Sequence, residues 1–318
     1  MLQTGTFQKM IIAGLDGGGS QITCRIAKLT GEVLGEARSG GASLTHWAPE
    51  QVAENLAQAL QAARHRAPGP QSQLAAICAG FAGAGDERRR RQYEGMLRQL
   101  APEARIMVVT DAELALAGAL DGEPGIVVIS GTGSIALGRN ARNQIARAGG
   151  NGPEQGDEGS GYWIGRQAVR RVIEAARDAN SSDPFPASIL AHWSMRDALE
   201  LVNWLQENHR NGVRVAYAGL VPLVAQAAQA GHAEARAILV DAGQELARLV
   251  QNVAQAINMP APRVAGWGGV LQHVAAVAVA LQNALASVLP RARWTQPDGP
   301  PVAGALGLAQ KLLSQTER

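Results

Sequence analysis

The sequence predicts an α/β protein of two lobes, and three observations carry that expectation. At 318 residues the chain can form two domains of ordinary size, each with its own core. Strand-like apolar segments come first and then alternate with helical ones, the pattern of an α/β layer structure with a mixed sheet. The pattern then restarts after Asp121-Gly122. Leu15-Asp16-Gly17-Gly18-Gly19-Ser20 and Ile129-Ser130-Gly131-Thr132-Gly133-Ser134 share one layout, an apolar strand running into a small-residue turn and out into another strand. A weak internal duplication follows, with one glycine hairpin per lobe.

The elements follow from local pattern. Ile11–Leu15, Ile22–Leu29 and Val33–Arg38 read as an antiparallel meander, with Ile22, Cys24 and Ile26 on one face and a Thr30-Gly31 turn before the third strand. A helix is expected from Pro49 to about His65, then a Pro/Gly loop at 68–70 and a buried strand at Leu74–Ala79. A helix from Glu87 to Leu100, the strand Ile106–Thr110 and an apolar helix Ala112–Leu120 complete the first pattern. The second comprises strands Ile126–Ile129 and Ile135–Gly138, and Ala-rich helices near 161–178, 194–207, 217–230 and 233–258. One further strand, Arg263–Gly266, precedes the Trp267-Gly268-Gly269 turn and a helix through about Leu289; Pro290–Pro301 reads as a linker before a last helix, Val302–Ser314.

Composition narrows the function classes. A balance of 29 Lys and Arg against 27 Asp and Glu leaves +2, no electrostatic footprint for nucleic acid or a membrane surface. The basic run Arg88–Arg91 opens an amphipathic segment and reads as a solvated helix face. The two cysteines, Cys24 and Cys78, lie in strand-like segments without metal-ligand spacing, which suits buried thiols in a reducing compartment. No apolar run reaches the ~18 residues of a membrane span and the first residues lack a signal-peptide core, so a cytoplasmic protein is expected. The 37 glycines are the anomaly, and their runs at strand ends mark backbone that turns tightly or approaches a ligand.

In Asp16-Gly17-Gly18-Gly19-Ser20 the absent side chains let backbone N–H groups converge on an anion, while the carboxylate and hydroxyl suit a hydrated Mg²⁺; a plain β-turn is the other reading. Gly131 to Ser134 runs into a strand rather than a helix, which disfavours a dinucleotide fingerprint, and no glycine run ends in the Lys-Ser/Thr of a Walker loop. Two such hairpins would grip a polyphosphate from two sides, each donating to charge that grows during phosphoryl transfer. Asp111 ends a buried strand, where α/β sheets place ligands, or else caps the helix that follows. Gly156-Asp157-Glu158-Gly159-Ser160 sets an acidic pair before a helix, suited to sugar hydroxyls or to a helix N-terminus. None of the six histidines makes a metal-binding pattern, and His46-Trp47 offers a polar tip and an apolar plate to a sugar or forms an ordinary surface pair.

Taken together, Asp16–Ser20, Thr45-His46-Trp47, Thr110-Asp111-Ala112, Ser130–Ser134, Gly156–Ile164 and Gly268-Gly269-Val270 resemble, in order and over nearly the whole chain, the N-acetylglucosamine kinase branch of the BadF/BadG/BcrA/BcrD ATPase family. The resemblance implies a two-lobed actin-like, ribonuclease H-like fold with ATP in the cleft between lobes spanning 1–118 plus 302–318 and 119–301. It implies ATP binding by Asp16, Gly17, Gly18, Gly19, Ser20, Gly131, Thr132, Gly133 and Ser134, with adenosine at Gly268 and Gly269. Asp16 would hold Mg²⁺ through water and Asp111 would be the base on the sugar hydroxyl. The sugar side would comprise Thr45, His46, Trp47, Gly149, Gly150, Asn151 and Asp157. Thr45, Ile135 and Asn151 stand where similar kinases tend to carry Asn, Asn and Trp, so glucosamine, glucose or a modified amino sugar stay open as acceptors. Some relatives are ATPase activators that share an iron–sulfur cluster, but neither cysteine lies in the second lobe as such a cluster requires. A sugar-sensing regulator would add a DNA-binding module, for which there is no room before Ile11. The expected partner is a small-molecule sugar, and a homodimer is left open.

Overall fold

The computed structural model describes residues 10–67, 73–152, 155–177, 184–208 and 213–314. The chain divides into two compact units, one made of the residues up to Glu123 together with those from Pro297 onward, the other of Pro124–Gln296. These limits lie a few residues beyond 118/119 and before 301/302. The Asp121-Gly122 turn stays with the first unit because Gly122 lies against the Lys311 ammonium and the Asp298 N–H donates to the Ala119 carbonyl.

In the first unit β1 (Met10–Gly17), β2 (Ile22–Lys28) and β3 (Val33–Ser39) form the expected antiparallel meander. Helix α1 (Pro49–Arg66) starts on a proline, whose missing N–H costs nothing in a first turn. Next come β4 (Gln73–Phe81), α2 (Glu87–Leu100), β5 (Arg105–Thr110) and α3 (Asp111–Ala119). The sheet order is β3-β2-β1-β4-β5, with β4 and β5 parallel to β1. Both faces are covered, and successive β1 side chains therefore enter different clusters. Ile11, Ala13 and Leu15 pack with Leu56, Tyr93 and Leu97, whereas Ile12 packs with Leu114, Ala305 and Ala309. Cys24 and Cys78 belong to opposite faces, both as buried free thiols that burial pushes up to about 12. Arg88 and Arg91 are exposed on α2, and Arg91 pairs with Glu87.

The second unit repeats this sheet. β6 (Gly125–Ser130), β7 (Ser134–Arg139) and β8 (Ile145–Gly149) form a second antiparallel meander. Helices α4 (Gly161–Ala175), α5 (Pro184–His192), α6 (Ala198–Asn208), α7 (Val213–Ala218), α8 (Val221–Gln229) and α9 (Ala233–Ala256) follow. Then come β9 (Arg263–Trp267), α10 (Gly269–His273), α11 (Ala275–Val288) and β10 (Arg293–Thr295), and α12 (Pro301–Ser314) returns to the first unit. The order β8-β7-β6-β9-β10 and its strand directions reproduce those of the first sheet.

Two expectations need correction. The stretch 290–301 is not only linker, because Arg293–Thr295 pairs in parallel with Arg263–Ala265. Helix 217–230 is two helices: the α7 turn closes at Gly219, and Pro222, which lacks an N–H to continue a helix, lies in the first turn of α8. Strand β8 and helix α5 were not anticipated. The loop at 68–70 and the end of the helix at 178 lie outside the described residues.

Candidate active site

In the first unit the Asp16–Ser20 turn is tied down from one side. Gly18 N–H donates to the Gln21 carbonyl at 2.9 Å, Ala42 N–H to the Gly18 carbonyl at 2.9 Å, and the Trp47 indole N–H to the Gly19 carbonyl at 2.7 Å. A Cβ on Gly17 would sit 2.5 Å from the Phe81 ring and 2.7 Å from the Ala42 methyl, so the chain passes where only glycine fits. Phe81 stacks on Tyr93 at 4.1 Å, and the Tyr93 hydroxyl donates to the Ala42 carbonyl and accepts from Leu44 N–H. Carbonyls are thereby engaged, while among the described residues the N–H groups of Gly19 and Ser20 find no intrachain acceptor.

The 45–47 loop is only partly as expected. Thr45, His46 and Trp47 are exposed. The Ser43 and Thr45 hydroxyls are 2.6 Å apart and both lie 3.0 Å from His46 Nδ1, which fixes the imidazole. Trp47 is more than an apolar plate, since its N–H is committed to the glycine turn.

Asp16 lies at the end of β1 and Asp111 follows β5 of the same sheet, and the Asp111 charge acts on Asp16. Burial, and then the Asp111 charge, raise the Asp16 carboxyl to about 6. Asp111 has an edge open to solvent, yet the protein packed behind it raises its carboxyl above the ordinary value, against the lowering effect of the Ala112 N–H. Asp111 is not the cap of α3. Thr110 holds that position in a capping box, with its hydroxyl accepting from Glu113 N–H while the Glu113 carboxylate accepts from Thr110 N–H. The Asp111 carboxylate, at the first helical position, instead accepts from Ala112 N–H at 3.0 Å. Among the described residues no group of three or more His, Cys, Asp or Glu could hold a metal. Two carboxylates do fit Mg²⁺, which takes one or two of them together with waters and phosphate oxygens.

In the second unit the Gly131–Ser134 turn is zipped onto the Asp157–Ser160 segment. Ser130 Oγ donates to the Gly159 carbonyl at 2.8 Å and Ser134 Oγ to the Glu158 carbonyl at 2.7 Å. Gly161 N–H and Tyr162 N–H, at the start of α4, donate to the carbonyls of Gly131 and Thr132, and Ser160 caps that helix by accepting from Trp163 N–H. Again carbonyls are engaged, and among the described residues the N–H groups of Thr132 and Gly133 find no intrachain acceptor. Gly150 N–H donates to the Ser134 carbonyl, which brings Gly149 and Gly150 to the turn, and Asn151 follows as an exposed residue. Gly268 has φ 96, and a Cβ there would meet the Ser130 carbonyl oxygen at 2.5 Å, so the Gly268-Gly269 turn lies against the base of the same hairpin.

Asp157 is 1% exposed and left-handed at φ 63. Its Oδ1 accepts from Ser134 N–H at 3.1 Å and its Oδ2 from Arg214 Nη2 at 2.6 Å. In this conformation both oxygens are engaged inside the protein. Arg214 is the residue that sequence reasoning missed. It sits on α7, 57 positions from Asp157, in an Ala- and Val-rich stretch with no motif to flag it.

Paired sheets of one topology, each with a glycine hairpin whose amides are open, define the two-lobed actin-like class of ATPases and sugar kinases. The BadF/BadG/BcrA/BcrD ATPase family model matches residues 13–310, and the chain belongs to that family. It is 33% identical over 266 residues, 83% of this chain and 86% of the other, to an N-acetylmuramic acid/N-acetylglucosamine kinase of Clostridium acetobutylicum. It is 27% identical to an N-acetyl-D-glucosamine kinase of Dictyostelium discoideum over 79% of this chain and 81% of that one. A solved protein of Chromobacterium violaceum, provisionally assigned as an N-acetylglucosamine kinase, superposes with TM-score 0.76 at 29% identity, covering 94% of this chain and 98% of that one. A ROK family glucokinase from Streptomyces griseus, solved with glucose and AMPPNP, shares the fold at TM-score 0.59 and 16% identity over 95% of this chain and 98% of that one. No described helix is long and apolar enough to cross a membrane.

Proposed function

We propose that this chain phosphorylates an amino sugar at the expense of ATP, with N-acetylglucosamine as the acceptor. The observation that carries the reading is the Asp16–Asp111 pair beside an open-amide glycine turn, in a chain whose most similar curated relatives are amino-sugar kinases. Asp111 accepts the proton of the sugar hydroxyl as the oxygen–phosphorus bond forms. That Thr110, and not Asp111, holds the N-cap position of α3 supports that role. The amides of Gly19, Ser20, Thr132 and Gly133 bind phosphate oxygens where negative charge develops. Asp16 holds Mg²⁺ through water, and that ion would neutralise phosphate charge. Gly268 and Gly269 give the adenosine room. Thr45, His46, Gly149, Gly150 and Asn151 form the sugar side; Trp47 serves it by fixing the phosphate turn. Asp157 serves it by fixing the other turn, and a direct bond from Asp157 to sugar would require Arg214 to give way.

The two buried thiols suit a reducing cytoplasm. A second acceptor is favoured by Thr45 and Asn151, which differ from the residues common in similar kinases, and by the relative named for two acceptors. The test is ADP release with N-acetylglucosamine, N-acetylmuramic acid, glucosamine and glucose. Highest kcat/KM with N-acetylglucosamine is expected. Best turnover of glucose would overturn the amino-sugar assignment, and no sugar-stimulated ADP release would overturn the kinase.

A further inference from the structure

Arg214 lies outside every motif that points to chemistry, yet its guanidinium stands over the second glycine turn. A Cβ placed on Gly133 would collide with Nη2 of Arg214 and would come within 2.6 Å of Asp157 Oδ1. The short helix that carries Arg214 is mounted rigidly. A Cβ on Gly165 of α4 would run into the Tyr217 carbonyl, so α7 and α4 touch backbone to backbone. Helix α4 is in turn bonded through Gly161 and Tyr162 to the carbonyls of that glycine turn. Arg214 and the turn therefore share one frame.

The donor inventory of the guanidinium is incomplete. Nη2 is committed to the buried Asp157 carboxylate. Nε is buried and, among the described residues, has no hydrogen-bond partner. An orphaned donor on a permanently charged group is costly, and with 42% of its side chain exposed the Arg214 guanidinium keeps outer N–H groups that a ligand can reach. The Asp157 carboxylate holds the fork in one orientation, which is how arginine becomes a directional anion ligand rather than a diffuse charge.

We infer that Arg214, oriented by Asp157 beside Gly133, is a phosphate-binding residue that donates to the terminal phosphates of the nucleoside triphosphate. The inference rests on reading Gly131–Ser134 as a phosphate-binding turn. Its effect is on binding and on the charge that builds up on the transferred group; no bond is made or broken at Arg214.

The test is calorimetric titration of the full chain and of Arg214→Met with adenosine, ADP and a non-hydrolysable ATP analogue, beside a melting curve and KM for each sugar. Met keeps the apolar stem and removes the fork. The analogue should bind about 10–100-fold more weakly to the variant, the range for a lost charge-assisted hydrogen bond, while adenosine binds as before. Arg214→Lys should recover part of that loss, because charge is kept but the planar fork is not. Unchanged affinity for the analogue in a folded Met variant overturns the inference. So does an equal loss for adenosine and the analogue, which would mark a collapsed turn, and so does a loss confined to KM for N-acetylmuramic acid, which would put the guanidinium on a sugar carboxylate. If Arg214→Met melts below the assay temperature, Arg214→Lys is read by the same comparison. Failure of the unaltered chain to bind any adenine nucleotide would instead overturn the kinase reading on which this rests.

Discussion

The two sheets have the same strand order and directions, but their glycine turns are held by different physics. The first turn is braced by neutral groups: the Trp47 indole, the Ala42 amide, and the Phe81–Tyr93 stack. Its two carboxylates, Asp16 and Asp111, have no basic side chain among the causes of their shifts, and both are raised. The second turn is braced by a buried charge, Asp157, with Arg214 as counterion. One repeated sheet topology thus carries an anionic edge in one unit and a cation-bearing edge in the other. The side chains that brace the turns differ while the strand order stays constant.

The largest expected effect probes the anionic edge. Asp111→Asn should lower kcat about 10²–10⁴-fold, the usual contribution of a general base. The melting temperature should hardly move, because Thr110 and Glu113 cap α3 and an Asn side-chain oxygen can still accept from Ala112 N–H. Steady-state rates beside thermal unfolding decide it, and full activity would remove the base.

A sharper contrast comes from one methyl group placed in each turn. In Gly133→Ala the new Cβ meets Arg214 and Asp157, and overpacking of this kind costs roughly 1–3 kcal/mol. In Gly19→Ala the Cβ meets nothing within 4 Å. Chemical denaturation should separate the two variants by about that amount; equal stabilities would mean the turns are not braced differently.

Asp157→Asn should cost about 1.5–3 kcal/mol, the range for a charged hydrogen bond, and the loss should be seen in denaturant midpoints. Trp47→Phe, the matching change at the first turn, removes one neutral bond from a half-open site and should cost about 0.5–1.5 kcal/mol.

The last effect is a pH dependence that arises in the first unit. The folded pKa of Asp16, about 6, lies above its ordinary 3.8, so the folded chain holds this proton more tightly than the unfolded one. The resulting stability is fully present below pH ~3.8 and is lost as pH rises through about 6. In Mg²⁺-free buffer Asp16→Asn should therefore melt higher than the parent at pH 7, by on the order of 1–2 kcal/mol, and match it at pH 4. A constant difference across that range would dissociate the burial of Asp16 from its charge.

Much of this was legible before any coordinates. Strong alternation in Ile22–Lys28, the turn after Leu15 and the restart at Gly125 each leave a local signature, so both hairpins and the first sheet could be read. Strand β8 could not, because Ile-Ala-Arg-Ala-Gly is short, its Ile145 is 56% exposed, and pairing with β7 supplies the order that its sequence lacks. Strand β10 is three residues whose strand state exists only beside β9. Helix α5 did carry a signal, the Pro184-Phe185-Pro186 start, which suits a helix's first turn. The Asp157–Arg214 pair is legible only in three dimensions, since the partner comes from an unremarkable helix turn far along the chain. The capping of α3 by Thr110 was readable in principle from Thr110-Asp111-Ala112-Glu113, a capping-box spacing.

Helix α12 gives the first unit a constraint in time. One face of its sheet, with Ile12, Ala27, Ala76 and Cys78, is covered by Leu114 and by Ala305, Leu306 and Ala309 of α12. Gly304 lies so close to α3 that a Cβ would meet the Leu114 carbonyl and the Gly118 amide. During synthesis on a ribosome the part of that face under α12 must therefore wait, apolar and uncovered, while the whole of Pro124–Gln296 is made. The second unit, contiguous in the chain, can close its core as it emerges. A nascent chain arrested before residue 301 should accordingly be a client for chaperones through its oldest part rather than its newest.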